Sequence, residues 1–166
     1  EVIFTQNIQL EILATDESPC PGESVTLSIP NTFDTILWSN GQSTPTIQVS
    51  TSGAYSVTVS QSACNASDAV IITYSPAPTA VLNPSSDITT CDNFYTLSAT
   101  SNADIQWLLN GAPIIGSTAN NLNALTTGTY SFSATSNEGC ITNSNPVDVT
   151  FIEGIDVEIE SSNVEV

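Results

Sequence analysis

The feature that most constrains this chain is that it reads twice. A first pass runs Cys20-Pro21-Gly22, Val25–Ile29, Ile36-Leu37-Trp38-Ser39-Asn40-Gly41, Thr46–Ser50, Gly53-Ala54-Tyr55-Ser56-Val57-Thr58-Val59, Cys64 and Ala69–Tyr74. A second runs Cys91, Tyr95–Ala99, Ile105-Gln106-Trp107-Leu108-Leu109-Asn110-Gly111, Leu122–Leu125, Gly128-Thr129-Tyr130-Ser131-Phe132, Cys140 and Pro146–Phe151. The landmarks recur after 71 residues (Cys20 to Cys91), 69 (Trp38 to Trp107), 75 (Tyr55 to Tyr130) and 76 (Cys64 to Cys140). Two aromatics and two cysteines in one order, at nearly one spacing, mark a repeated structural unit rather than one large core.

This spacing places two complete domains at residues 7–75 and 76–152. Residues 1–6, with Val2-Ile3-Phe4, read as the end of a preceding repeat, and 153–166, with Ile155–Glu160, as the first strand of a following one. Ile8–Leu13 is expected to open the first full copy as a strand. Ser75-Pro76-Ala77-Pro78 forms a short, stiff boundary, because proline favours extended polyproline geometry. The chain has no initiator Met and no signal-peptide pattern. It is expected to be cut from a longer protein, so missing targeting signals say nothing about export.

Val, Ile and Thr dominate the apolar stretches, which favours strands, and no stretch has the periodicity of a long amphipathic helix. Each copy carries six or seven short strands between turn residues, so the expected fold is all-β: tandem immunoglobulin-like antiparallel β-sandwiches. Asn40-Gly41 and Asn110-Gly111 suit type I′ hairpins, which need positive φ at both central residues. Trp38 and Trp107 precede those turns, where the third strand of such a sandwich carries its core indole. Tyr55 and Tyr130 stand where it places a tyrosine corner. All four aromatics are read as structural core; stacking on a sugar ring is the functional alternative.

Charge narrows the chemistry. There are 17 Asp plus Glu and no Lys, Arg or His, giving a net charge of −17. No side-chain ion pair can form within the chain, and Ser-His triads, Schiff-base lysines, imidazole metal ligands and P-loops are excluded. With no cation to neutralise phosphate, nucleic acid is excluded as a partner. No apolar run is long enough for direct membrane insertion, and an anionic surface would repel the chain. Hydrophobic residues still make up 40%, enough for a core, and 45 Ser and Thr supply most of the polar surface. Glycosidase chemistry needs two carboxylates with separated pKa values in a cleft. Nothing in the sequence pairs them across the fold, so no enzyme and no catalytic residue is expected.

Four cysteines with no His and no Cys-x-x-Cys point to disulfides rather than zinc, and hence to an oxidising compartment. Repeat symmetry pairs Cys20 with Cys64 and Cys91 with Cys140. Sandwich topology objects: Cys20 precedes the second strand and Cys64 follows the sixth, so they lie at opposite ends of one domain. A six-residue strand spans about 20 Å, while a disulfide needs Cα atoms within about 7 Å. In a head-to-tail array Cys20 would instead meet Cys140, a staple transmitting tension, and Cys64 and Cys91 would serve neighbouring copies. Both pairings stand open at this stage.

The run from Cys20 through Trp38-Ser39-Asn40-Gly41 and Ser52-Gly53-Ala54-Tyr55-Ser56-Val57-Thr58-Val59 to Cys64 resembles the Ig-like (PKD/Ig-like sandwich) repeats of secreted Bacteroidota cell-surface adhesins, of the gliding-motility type exported by type IX secretion. The second copy departs from it, with Asp92-Asn93 for Pro21-Gly22 and one extra residue between Trp107 and its Asn-Gly. The resemblance implies extracellular display outside a bacterial outer membrane. It implies a structural segment of a long adhesin or filament, a semi-rigid stalk for surface adhesion or gliding. Its partners would be neighbouring repeats, surface glycans or cell-surface machinery. Alternatives are a glycan- or protein-binding module using loops such as Gly116–Asn123, and spacer domains of a secreted hydrolase. Asp34-Thr35-Ile36 resembles an O-glycosylation signal of these bacteria, set against an ordinary turn before a strand at Thr35. Asn65-Ala66-Ser67 fits the N-glycosylation pattern, whose machinery is not expected in this setting.

Asp156, Glu158 and Glu160 alternate and so share one strand face. With Glu153 and Asp148 nearby they form the one candidate Ca²⁺ site, set against a solvated acidic face. Calcium takes six to eight oxygen ligands, and no EF-hand or repeat nonapeptide is present. No other cofactor is expected.

Overall fold

The computed structural model describes residues 8–62 and 64–153. The described residues up to Ala77, together with Asn137–Cys140, group as one compact unit; Pro78–Ser136 and the residues from Ile141 onward group as another. The expected fragments of flanking repeats, at 1–6 and over most of 153–166, lie outside the described residues.

The first unit contains β1 (Leu13–Ala14), β2 (Val25–Ser28), β3 (Thr35–Trp38), β4 (Thr46–Val49), β5 (Gly53–Gln61) and β6 (Cys64–Ile72). One sheet runs β1-β2-β4 and the other β3-β5-β6, with every pairing antiparallel. Period-two patterning decides which faces turn inward. Val25 and Leu27, Ile47 and Val49, and Val57 and Val59 are buried, while Thr46, Gln48, Ser56 and Thr58 between them are exposed. Trp38, Ile12, Ile29 and Ile72 complete the cluster. Each fully buried aliphatic side chain contributes about 1.5–3 kcal/mol by leaving water.

The Ile8–Leu13 strand is corrected: only Leu13–Ala14 joins the sheet. The Ile12 N–H leaves the ladder and donates to Asp68 Oδ2 at 2.8 Å, although Ile8, Leu10 and Ile12 still lean on the core. Asp68 sits half-buried on β6, an edge strand. An inward-leaning charge on an edge discourages another strand from adding there.

The second unit contains β7 (Val81–Asn83), β8 (Ile88–Thr90), β9 (Tyr95–Thr100), β10 (Asp104–Leu109), β11 (Ala112–Pro113), β12 (Asn121–Ala124), β13 (Gly128–Thr135), β14 (Ile141–Asn143) and β15 (Val147–Phe151). One sheet is β12-β9-β7 and the other β11-β10-β13-β15-β8, with β14 also on β13. The β15–β8 pair is parallel; the other pairs are antiparallel. The first strand therefore starts in one sheet (β7) and continues in the other (β8). The first unit repeats this crossing with two backbone bonds, Thr73 N–H to the Glu17 carbonyl at 3.0 Å and Ser75 N–H to Pro19 at 2.9 Å. The Pro146–Phe151 closing strand begins at Val147, because proline has no N–H for the ladder. Ser144 fills the break: its N–H donates to the Phe132 carbonyl at 2.9 Å, and its Oγ accepts the Phe132 N–H at 3.0 Å.

The two Asn-Gly turns differ. Asn110 (φ 51°) and Gly111 (φ 79°) form the two-residue loop expected of type I′, with Leu109 paired to Ala112. At Asn40-Gly41 that expectation fails: only Gly41 has positive φ, its N–H reaches the Trp38 carbonyl at 2.9 Å, and Trp38 N–H donates to Gln42 at 2.8 Å. The cause is spacing. Both indoles must face inward, and with one residue fewer after Trp38 the chain turns over three residues, Ser39 included. Such loops pair a type I turn with a left-handed closing residue.

Glycine also matters where the tyrosine-bearing strands begin. A Cβ on Gly128 would stand 2.6 Å from Leu109 Cδ1 and 3.1 Å from Asn110 Oδ1, and that oxygen already accepts the Thr129 N–H at 2.9 Å. A Cβ on Gly53 meets nothing nearer than 3.9 Å. Gly128→Ala is expected to destabilise the second unit by about 1 kcal/mol, because Leu109 Cδ1 can rotate aside while Asn110 Oδ1, tied to Thr129, must give by a few tenths of an ångström. Gly53→Ala should stay within about 0.5 kcal/mol of neutral. Urea midpoints compare the two, and equal shifts would contradict the crowding argument.

Candidate functional site

Trp38 and Trp107 are fully enclosed, and each indole N–H donates to a backbone carbonyl at 2.8 Å, of Thr44 and Ala119 respectively. Buried indoles need such a partner, and both loops supply one at the same place. Tyr55 Oη donates to the Thr51 carbonyl at 2.9 Å, and Tyr130 Oη to that of Thr126 at 2.8 Å, four residues upstream in each case. Tyr130 is buried; Tyr55 is half-buried against the core. Two packed sheets, a first strand that changes sheet, a core Trp on the third strand and a corner Tyr on the penultimate one decide the fold. Each unit is an immunoglobulin-like β-sandwich. Of the aromatics read from the sequence as core, Trp38, Trp107 and Tyr130 are enclosed by it, and Tyr55 packs half-buried against it.

Neither Ig-like unit shows a further corner detail in its sequence. The residue before each corner glycine clamps the last strand through its hydroxyl: Ser52 Oγ accepts the Tyr74 N–H at 2.9 Å, and Thr127 Oγ1 accepts the Phe151 N–H at 2.9 Å. In the first unit Tyr74 Oη also donates to the carbonyls of Glu23 at 2.9 Å and Val49 at 3.2 Å. Desolvation, reinforced by the neighbouring Tyr55, Glu23 and Asp16, raises the pKa of this hydroxyl above its ordinary value.

The cysteines resolve the open pairing. Cys20 and Cys140 are joined, with Cα atoms 5.4 Å apart across a sequence separation of 120, while Cys64 and Cys91 are free thiols. Cys20–Cys64 does not form, for a reason visible within the first unit. Pro19, next to Cys20, bonds to Ser75, whereas Cys64 begins β6 eleven residues earlier. That length of strand spans roughly 36 Å, far beyond the reach of about 7 Å that a disulfide allows. Cys91–Cys140 fails likewise: Thr90 bonds to Ile152, while Cys140 precedes β14.

Thr35 lies exposed on β3, its hydroxyl engaged with Ser60 Oγ on β5. Asp34 Oδ2 accepts the Ser62 N–H at 2.7 Å, so this carboxylate caps the β5–β6 turn. Asp156, Glu158 and Glu160 lie outside the described residues. Asp148 is held by the Thr129 hydroxyl at 2.6 Å, and Glu153 is exposed. Among the described residues no group of three His, Cys, Asp or Glu could hold a metal ion. The turn that leads into the Gly116–Asn123 loop is anchored by Gln106 on β10. Gln106 Nε2 donates to the carbonyls of Trp107 at 3.0 Å, Ile114 at 2.8 Å and Ser117 at 3.3 Å. Ile115, in the turn just before that loop, is left 93% exposed. Ile115 was not legible ahead of the structure, because an Ile-Ile pair before glycine looks like strand.

No protein-family model and no curated protein matches the chain. Solved structures similar to it include the fibronectin(III)-like modules of Clostridium thermocellum CbhA (14% identity, TM-score 0.46, covering 93% of this chain and 100% of that one). Murine CEACAM1b is similar at 15% identity and TM-score 0.41, covering 87% and 100%. The N-terminal four Ig domains of Dscam1 isoform 7.44 are similar at 12% identity and TM-score 0.38; this chain covers 48% of that chain. A disulfide within Ig-like sandwiches is typical of extracellular modules. Among the described residues no helix is long and apolar enough to cross a membrane.

Proposed function

We propose that this chain is a structural, non-enzymatic segment of a long extracellular adhesin or filament. Its Ig-like repeats serve as a semi-rigid stalk displayed outside a bacterial outer membrane, for surface adhesion or gliding. The observation that supports this most directly is the Cys20–Cys140 bond, which takes residues 21–139 out of the covalent path between the two ends. A stalk carries load along its chain, and this bond diverts the load around the greater part of both cores, Ile12, Val147 and Val149 excepted. A surface of hydroxyls and thinly spread carboxylates suits the same role, since like charges keep a rod extended and soluble. Antibodies raised against the segment should label intact cells of the source organism along surface extensions. Labelling seen only after permeabilisation would remove this reading.

The binding-module reading draws on Ile115, an exposed apolar residue in a turn pinned by Gln106. Neither Ca²⁺ nor a glycan at Thr35 enters the stalk proposal.

A further inference from the structure

Cys91 occupies in the second unit the place that Cys20 occupies in the first. The residue before each cysteine accepts a hydrogen bond from the end of the last strand: Pro19 from Ser75 and Thr90 from Ile152, both at 2.9 Å. One residue earlier on that strand, Tyr74 and Phe151 are clamped by Ser52 and Thr127. Four bonds, matched pair by pair, superpose the two cysteines on one fold position. Cys64 and Cys140 also correspond, each lying in the connection that leaves the tyrosine-bearing strand, opposite Gln61 in the first unit and just before β14 in the second.

One member of each kind is bonded, Cys20 to Cys140, and one of each kind is free. The free Cys91 is exposed beside an open cleft of about 330 Å³ that Asp92, Leu125, Phe151 and Ile152 help to line. Leu125 is 69% exposed and Ile152 52%, with Phe94 close by in sequence at 50%. At the matching place in the first unit, segment 137–140 groups with the unit and its cysteine is bonded to Cys20.

We propose that Cys91 and Cys64 are the two halves of a head-to-tail linkage between copies of this chain. The Cys91 cleft of one copy receives the β5–β6 hairpin of a second, whose Cys64 closes the bond. The contact is heterologous, so each copy keeps one free half and the series continues linearly. Closing the bond needs an oxidant, here glutathione disulfide. The Cys91 thiolate attacks it and releases one reduced glutathione; the Cys64 thiolate of the second copy then displaces the other. Two thiols lose two protons and two electrons, and one glutathione disulfide becomes two thiols. Both copies carry −17, so docking strengthens as salt screens their repulsion. The inference rests on the bonded pair and is independent of the stalk reading.

The test uses Cys64→Ser and Cys91→Ser, one of them isotope-labelled, in a glutathione redox buffer at high salt, read by non-reducing electrophoresis and intact mass. Each variant alone should remain monomeric. An equimolar mixture should give the heterodimer at least about tenfold over either homodimer, a preference equivalent to about 1.4 kcal/mol. Ile152→Asp in the copy that keeps Cys91 should lower that yield, which exposed, merely reactive thiols would not show. Homodimers in comparable yield, a mixture that stops at glutathione adducts, or indifference to Ile152→Asp would each overturn the proposal.

Discussion

Stretched between its two ends in a single-molecule experiment, the oxidised protein should release only the chain that lies before Cys20 and after Cys140. Reduction should add the whole loop between them. The sequence separation of 120 across the bond corresponds to roughly 400 Å of extended chain at about 3.3–3.6 Å per residue. The argument needs only covalent connectivity. Force enters at residue 20, crosses the sulfurs and leaves at residue 140, so most of each hydrophobic core is out of the path, while Ile12 on one side and Val147 and Val149 on the other stay in it. With reductant present, both cores come under load and two unfolding steps should appear, one for each cluster. Cys20→Ser should behave like the reduced protein without reductant, and Cys64→Ser like the oxidised wild type. Long unfolding steps in the oxidised wild type would show that the bond does not carry the load.

What could be read ahead of the structure follows from the kind of signal each feature leaves. Period-two burial depends only on local alternation, and the runs read at Val25–Ile29, Gly53–Val59 and Gly128–Phe132 form strands at Val25–Ser28, Gly53–Gln61 and Gly128–Thr135, the last two running two or three residues further. The two Trp and two Tyr were legible because the repeat prints each of them twice. Asn40-Gly41 misled because a dipeptide does not reveal how many residues separate it from an indole that must face inward. Ile8–Leu13 misled because Asp68, 56 residues away, takes the Ile12 N–H, and no local pattern reports so distant an acceptor. The disulfide was open between two pairings because sequence symmetry and strand direction disagreed, and strand direction prevailed for want of reach. The polar surface follows from composition. With no cation, cross-strand pairs use hydroxyls and amides, as Thr96 to Asn123 at 2.9 Å and Ser98 to Asn121 at 2.7 Å, the kind of directly opposed pair that stabilises sheets.

Trp107→Ala should unfold the second unit while leaving the first intact. Trp107 has no exposed surface, its ring centroid lies 5.5 Å from that of Phe132, and its N–H satisfies the Ala119 carbonyl. Truncating a buried Trp costs about 3–5 kcal/mol through lost transfer energy and the cavity left behind. The Ala119 carbonyl, left without its donor, adds to that loss. Domains of this size sit low in the usual 5–15 kcal/mol range of stability, because small chains bury less of their surface, so the change removes most of the margin. The two core clusters share no residue. Trp38, the one indole remaining in the variant, should therefore keep the emission of a buried ring at temperatures where calorimetry shows the second unit's transition already lost. Trp107→Phe retains an aromatic ring and should recover a large part of the stability. If Trp38 emission shifted together with the second unit's melting, the two sandwiches would be one cooperative folding unit, and their stability could not be divided between separate cores.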